Sequence, residues 1–126
     1  MDVISPEAEK GLQYFNQGDF YEAHEHFETA WRQTGEPSRE FYRALIHVSG
    51  GYFRLTQKRP GAAKKFFTHA LRWLQEFPSP FLGINTTALE AHLQNLNEAI
   101  DQNQDSESIL RQFSRSIPLD NNPSRT

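Results

Sequence analysis

Apolar side chains recur every third and fourth residue through successive stretches of this chain, and nowhere do they alternate over a strand's length. That period admits amphipathic helices and little else. Ala8, Leu12 and Phe15 form the first apolar stripe, opened by Ser5-Pro6 as N-cap and first helical position and stopped at Gly18. Asp19 caps the second, with Glu22 three residues on as a capping box, ahead of Phe20, Ala23, Phe27, Ala30 and Trp31. The third runs from about Ser38 to Thr56. Its stripe of Phe41, Ala44, Leu45, Val48, Tyr52 and Leu55 is widened by Tyr42, Ile46 and Phe53, as expected of a central helix or a homodimer face. A fourth, from Pro60 to about Glu76, carries Ala63, Phe66, Phe67, Ala70, Trp73 and Leu74. Gly83-Ile84-Asn85 reads as a turn into a fifth, opened by Thr87 and Glu90 and lined by Leu89, Leu93, Leu96 and Ile100. A short sixth holds Ile109, Leu110 and Phe113.

The expected fold is therefore all-α: a single bundle of about five to six antiparallel helices built from helical hairpins, spanning residues 1–113. The polar, turn-rich residues 114–126 are expected to form a flexible C-terminal tail. A chain of 126 residues suffices for one domain, which buries roughly two thirds of its unfolded surface. Gly50-Gly51 inside the third helix costs about 1 kcal/mol per residue against alanine, so a close backbone crossing is expected there. Ala23, Phe27 and Ala30 recur 40 residues later as Ala63, Phe67 and Ala70. This small-large-small spacing suits nested helical hairpins of the tetratricopeptide kind, although two copies at that offset are too few and too long for the repeat itself.

The chain has no cysteine, so disulfides, thiolate metal sites and a cysteine nucleophile are excluded. No apolar run approaches a membrane span, and the N-terminus MDVISPEAEK is acidic where a targeting peptide is basic, so a cytoplasmic location is expected. A net charge of −3 argues against nonspecific nucleic-acid binding. The charges are nevertheless segregated: residues 1–36 carry −6, 37–76 carry +6 and 77–126 carry −3. Either neighbouring helices complement one another, or the basic middle faces an anion or a partner protein. Attachment to a membrane surface through Arg54, Lys58, Arg59, Lys64 and Lys65 lacks the apolar residues that would insert.

Chemistry concentrates in the stretch YEAHEHFETAWR, residues 21–32. At about 100° per residue counted from Phe20, Trp31, His24, Glu28 and Glu25 follow round one flank, whereas His26 faces away. His24 and Glu28, one turn apart, can ligate one ion, and Glu25 beside them can act as a base on a bound water. The competing expectation uses the third helix, where Arg43, His47 and Arg54 share a polar face. Two guanidinium charges disfavour a divalent cation and suit bidentate pairing with Glu25 or Glu28. That reading takes His24, Glu25, Glu28, Trp31, Arg43, His47 and Arg54 as a binding face with no metal and no cofactor.

A family resemblance rests on these residues. Phe15-Asn16-x-Gly18-x-Phe20-Tyr21-Glu22-Ala23-His24-Glu25-x-x-Glu28-x-x-Trp31-Arg32, then Leu45-Ile46, Gly61-Ala62 and Phe81-x-Gly83-Ile84-Asn85, resembles domain of unknown function 309 over roughly residues 10–96. The resemblance implies a small all-helical bundle and a predicted metal-dependent hydrolase activity based on the His-Glu pattern, with His24, Glu25, Glu28 and Trp31 as signature positions. Family members carry Leu-Ile-Gln and, seven residues after the Gln, a His; here those places hold His47 and Arg54.

Two functions follow. The first is a noncatalytic interaction or structural module that binds a protein or a small anionic ligand. The second is a metal-dependent hydrolase with His24 and Glu28 as ligands of a divalent metal and Glu25 as the catalytic group.

Overall fold

The structure, a computed structural model, describes residues 3–112 and 116–119. Six helices follow in order: α1 Pro6–Asn16, α2 Phe20–Gln33, α3 Arg39–Thr56, α4 Pro60–Leu74, α5 Thr86–Asp101 and α6 Ser106–Gln112. They form the expected all-helical bundle. Each of α1 to α4 packs on the next, α4 packs on α5, and α6 folds back on α3. Helix α3 is accordingly the centre, with Phe41, Tyr42, Leu45, Val48, Tyr52 and Leu55 all buried. Among the described residues no helix is long and apolar enough to cross a membrane.

Local sequence explains most helix ends. The Ser5 hydroxyl accepts the Ala8 N–H and an Asp19 oxygen accepts the Glu22 N–H, satisfying amides that the first turn of a helix leaves free. Helix α5 begins two residues earlier than the Thr87 reading. Asn85 is the cap, accepting the Ala88 N–H, while the Thr86 hydroxyl donates to the Pro78 carbonyl. Both Asn85 and Thr87 are competent caps by type, and the loop from Pro78 selected between them. Phe113, expected in the sixth helix, lies outside the described residues. Of the segment expected as a tail, residues 116–119 are described: Ile117 is buried, and the Pro118 carbonyl accepts the Asn85 N–H.

Three hairpins share one turn. After α1, α3 and α5 a single residue adopts positive φ, Gly18 at 84°, Lys58 at 60° and Asn103 at 63°. Two backbone bonds close each turn back onto the preceding helix, as in a Schellman motif.

The 40-residue echo also has a packing basis. A Cβ on Gly11 would lie 2.5 Å from the Phe27 ring, and one on Gly51 would lie 2.3 Å from the Phe67 ring, so each hairpin seats an aromatic ring of its second helix on a glycine of its first. The close crossing expected at Gly50-Gly51 exists, but what approaches is a pair of rings, Phe66 on Gly50 and Phe67 on Gly51.

Candidate functional site

Helix α2 positions the His-Glu cluster. Ala23, Phe27 and Ala30 turn into the core, and this fixes Tyr21, His24, Glu25 and Glu28 along the flank beside α3. His24 Nε2 lies 3.4 Å from Glu28 Oε2, with the two side chains 30% and 33% exposed, so solvent reaches both. One donor atom from each of His24, Glu25 and Glu28 can be chosen so that all three lie within 4.8 Å of one another. The Tyr21 phenol hydrogen-bonds to Glu25, and this bond together with the carboxylate charge pushes the phenol's pKa up.

The guanidinium groups expected to neutralise this cluster are engaged elsewhere. Arg43 Nε pairs with Glu40 at 2.9 Å, and its guanidinium lies 5.2 Å from the Trp31 ring centroid and 4.7 Å from that of Trp73. Arg54 donates to the Gln57 side-chain carbonyl at 2.7 Å and lies near the rings of Phe53 and Phe66. Neither pairs with Glu25 or Glu28. Glu40, one turn before Arg43 on the same helix, needs no interhelical reach, and indole faces attract the same cation. Glu28 instead takes Arg32 of its own helix, at 2.9 Å.

Trp31 belongs to this cation cluster rather than to the His-Glu cluster. Its ring faces the Arg39 guanidinium at 4.1 Å, and its carbonyl accepts the Arg39 Nε–H at 3.2 Å. His47 lies deeper, its ring 5.4 Å from that of His69 and 5.8 Å from that of Phe66. Burial first, then the nearby His69, Arg43 and His24 charges, lower its pKa to about 4. Its Nδ1 is buried without a hydrogen-bond partner among the described residues.

The cluster borders a hollow of about 120 Å³ lined by Tyr21, His24, Gly50, Phe53, Arg54 and Phe66. Arg54 and Phe66 also line a wider groove of about 330 Å³ between α3 and α4, which His47, Arg59, Lys65 and His69 border. Sequence reasoning missed Tyr21, Glu40, Phe66 and His69 as parts of this region. The first two were accessible, because Tyr21–Glu25 and Glu40–Arg43 stand at helical contact spacing. His69 and Phe66 join only when α4 packs on α3. Also missed was His26, which bonds to Glu7 of α1 at 2.9 Å and stacks on Tyr14, tying the first hairpin together.

The three donors fit a divalent cation by type and position. One imidazole and two carboxylates are borderline-to-hard ligands, and three half-buried donors within 4.8 Å of one another are spaced as ligands of one ion could be.

Comparison with known proteins adds one relative and one family. An uncharacterized protein of Aquifex aeolicus (strain VF5) is 35% identical over 97 residues, which is 74% of this chain and 29% of that protein. The chain thus spans less than a third of the relative's length. Residues 8–66 match the family model described as Domain of unknown function (DUF309), so the family read from the Glu-Ala-His-Glu-x-x-Glu-x-x-Trp block is shown over α1, α2, α3 and the start of α4.

Proposed function

We propose that the chain is a divalent-metal-binding helical module with hydrolase chemistry centred on His24, Glu25 and Glu28. The observation that carries this reading is the convergence of these three donors within 4.8 Å on a solvent-accessible flank, with Arg43 and Arg54 held by other partners. The noncatalytic reading drew its advantage from neutralisation of Glu25 or Glu28 by Arg43 or Arg54; that pairing is not formed, and the guanidinium that Glu28 does meet, Arg32, is exposed on its own helix and would have to yield to an ion. His24 Nε2 and an oxygen of Glu28 serve as ligands, and Glu25, with the Tyr21 phenol beside it, completes the set. A divalent ion held there supplies Lewis acidity and lowers the pKa of a bound water. Arg54, across the hollow from His24, offers positive charge to an anionic substrate.

Metal titration of tag-free protein followed by melting tests this. Zinc or manganese is expected to raise stability by about 2.7 kcal/mol at a hundredfold excess over Kd, reversibly with chelator. His24→Ala with Glu28→Gln should abolish the effect. Hydrolysis of a panel of aryl phosphates and esters by the loaded protein, above that of the loaded double variant, completes the reading. Metal binding without hydrolysis leaves a metal-dependent binding module; no metal response returns the protein to the noncatalytic class. The feature favouring that second class is the basic groove between α3 and α4, which offers a surface for an anionic ligand or an acidic partner.

A further inference from the structure

The described cations divide sharply between paired and unpaired. Lys10, Arg32, Arg39, Arg43 and Lys64 each have a carboxylate within 4.0 Å. Arg54, Lys58, Arg59, Lys65, Arg72 and Arg111 have none among the described residues, and the first five of these six fall within one stretch of nineteen residues. Three of them, Arg54, Arg59 and Lys65, border the 330 Å³ groove between α3 and α4. Among the described residues no acidic side chain lines that groove. Its neighbour of about 290 Å³ on the outer face of α4 shares Lys65 and His69, adds Lys64 and Arg72, and is likewise free of acidic side chains.

Like charges gathered without counter-charges repel one another, so the arrangement costs folding free energy that a bound anion would recover. The groove also has an apolar component. Phe66 stands on Gly50, where a Cβ would meet its ring at 3.0 Å, with His47 at 5.8 Å and the Arg54 guanidinium at 5.7 Å from the ring centroid. An aromatic ring among cations, in a recess whose volume is that of a small-molecule site, suits a compact ligand with one flat apolar part and one anionic part. A protein helix needs a longer apolar track than this recess offers.

We propose that the groove between α3 and α4 binds a small phosphorylated molecule that carries an aromatic ring, its phosphate held by Arg54, Arg59 and Lys65 and its ring against Phe66. This goes beyond the metal reading and does not depend on it, because none of these residues is a candidate ligand of the ion.

The test is binding of phenyl phosphate to the full chain, followed by NMR shifts and calorimetry with chelator present, so that failure of the metal site cannot affect the outcome. Saturable binding is expected, with shifts at Phe66, Lys65 and His69. Inorganic phosphate is expected to bind several-fold more weakly. The double variant Arg59→Gln with Lys65→Gln, at two exposed positions without ion pairs, should weaken phenyl phosphate about tenfold at an unchanged melting temperature. No saturable binding, equal affinity for inorganic phosphate, or equal affinity in the double variant would each overturn the proposal. So would an acidic peptide that binds more tightly and displaces phenyl phosphate.

Discussion

Arg43 and His47 stand four residues apart on α3, and their surroundings give them opposite roles. Arg43 lies between two indoles with Glu40 against it, so its charge is matched within reach of its own helix turn. His47 has no such partner; its burial first, and then the charges of His69, Arg43 and His24, keep it neutral. Its pKa of about 4 lies below the ordinary value of 6.5. The unfolded chain therefore takes up a proton as pH falls through about 6.5, whereas the folded chain does not until about 4, and stability drops across that window. A His47→Asn protein is expected to lose less stability than the parent between pH 7 and pH 4.5, measured by urea unfolding. Equal losses would remove His47 as the cause. Glu7 shifts stability in the same direction, in the carboxylate range: its bond from His26 lowers its pKa, so the tie between α1 and α2 contributes above the glutamate range and is likewise lost in acid.

Each helical hairpin depends on one close contact and one tight turn. Gly51→Ala gains roughly 1 kcal/mol of helix propensity but drives a methyl to 2.3 Å from the Phe67 ring. Because that ring is itself fully buried, the net expectation is a loss of about 1–3 kcal/mol by denaturant melting. Gly61→Ala is the control, since nothing lies within 4 Å of its Cβ, and a gain of roughly 0.4–1 kcal/mol is expected. At the turn after α3, Lys58 holds a φ of 60° where Gly18 serves after α1. Lys58→Gly should stabilise by about 0.5–1 kcal/mol, because a left-handed conformation costs an L side chain that much or more. If the two glycine substitutions shifted stability equally, the ring contact would not be what requires Gly51.

Across the whole molecule the charge segregation does not act through direct ion pairs between the described residues of the first two hairpins. The acidic first hairpin packs on the basic second one, yet no ion pair joins α1 or α2 to α3 or α4 among the described residues. Attraction between the hairpins is thus long-range and solvent-screened. Raising salt from low ionic strength to about 0.5 M should change unfolding free energy by less than roughly 1 kcal/mol. A larger drop would mean that electrostatics, not the shared apolar face, holds the hairpins together.

The number of helices, their buried faces and the placement of Gly50-Gly51 at a close crossing were legible in the chain, because all three follow from local spacing of apolar and small residues. Residues such as Ala23, Phe27 and Ala30 have one stable place to go, and the 3.6-residue period states it. The destination of long charged side chains was not legible. Arg43, Arg54, Glu25 and Glu28 each had several partners of suitable charge within reach, and a wheel drawn for one helix cannot rank them. Packing ranked them: Glu40 and two indoles took Arg43, Gln57 took Arg54, Arg32 took Glu28, and Tyr21 took Glu25. Sequence determined which surfaces are buried, since burial free energy depends on apolar area already counted along the chain. Only the tertiary structure decided which charges meet, since that depends on distances of a few ångströms between elements that the sequence does not hold adjacent.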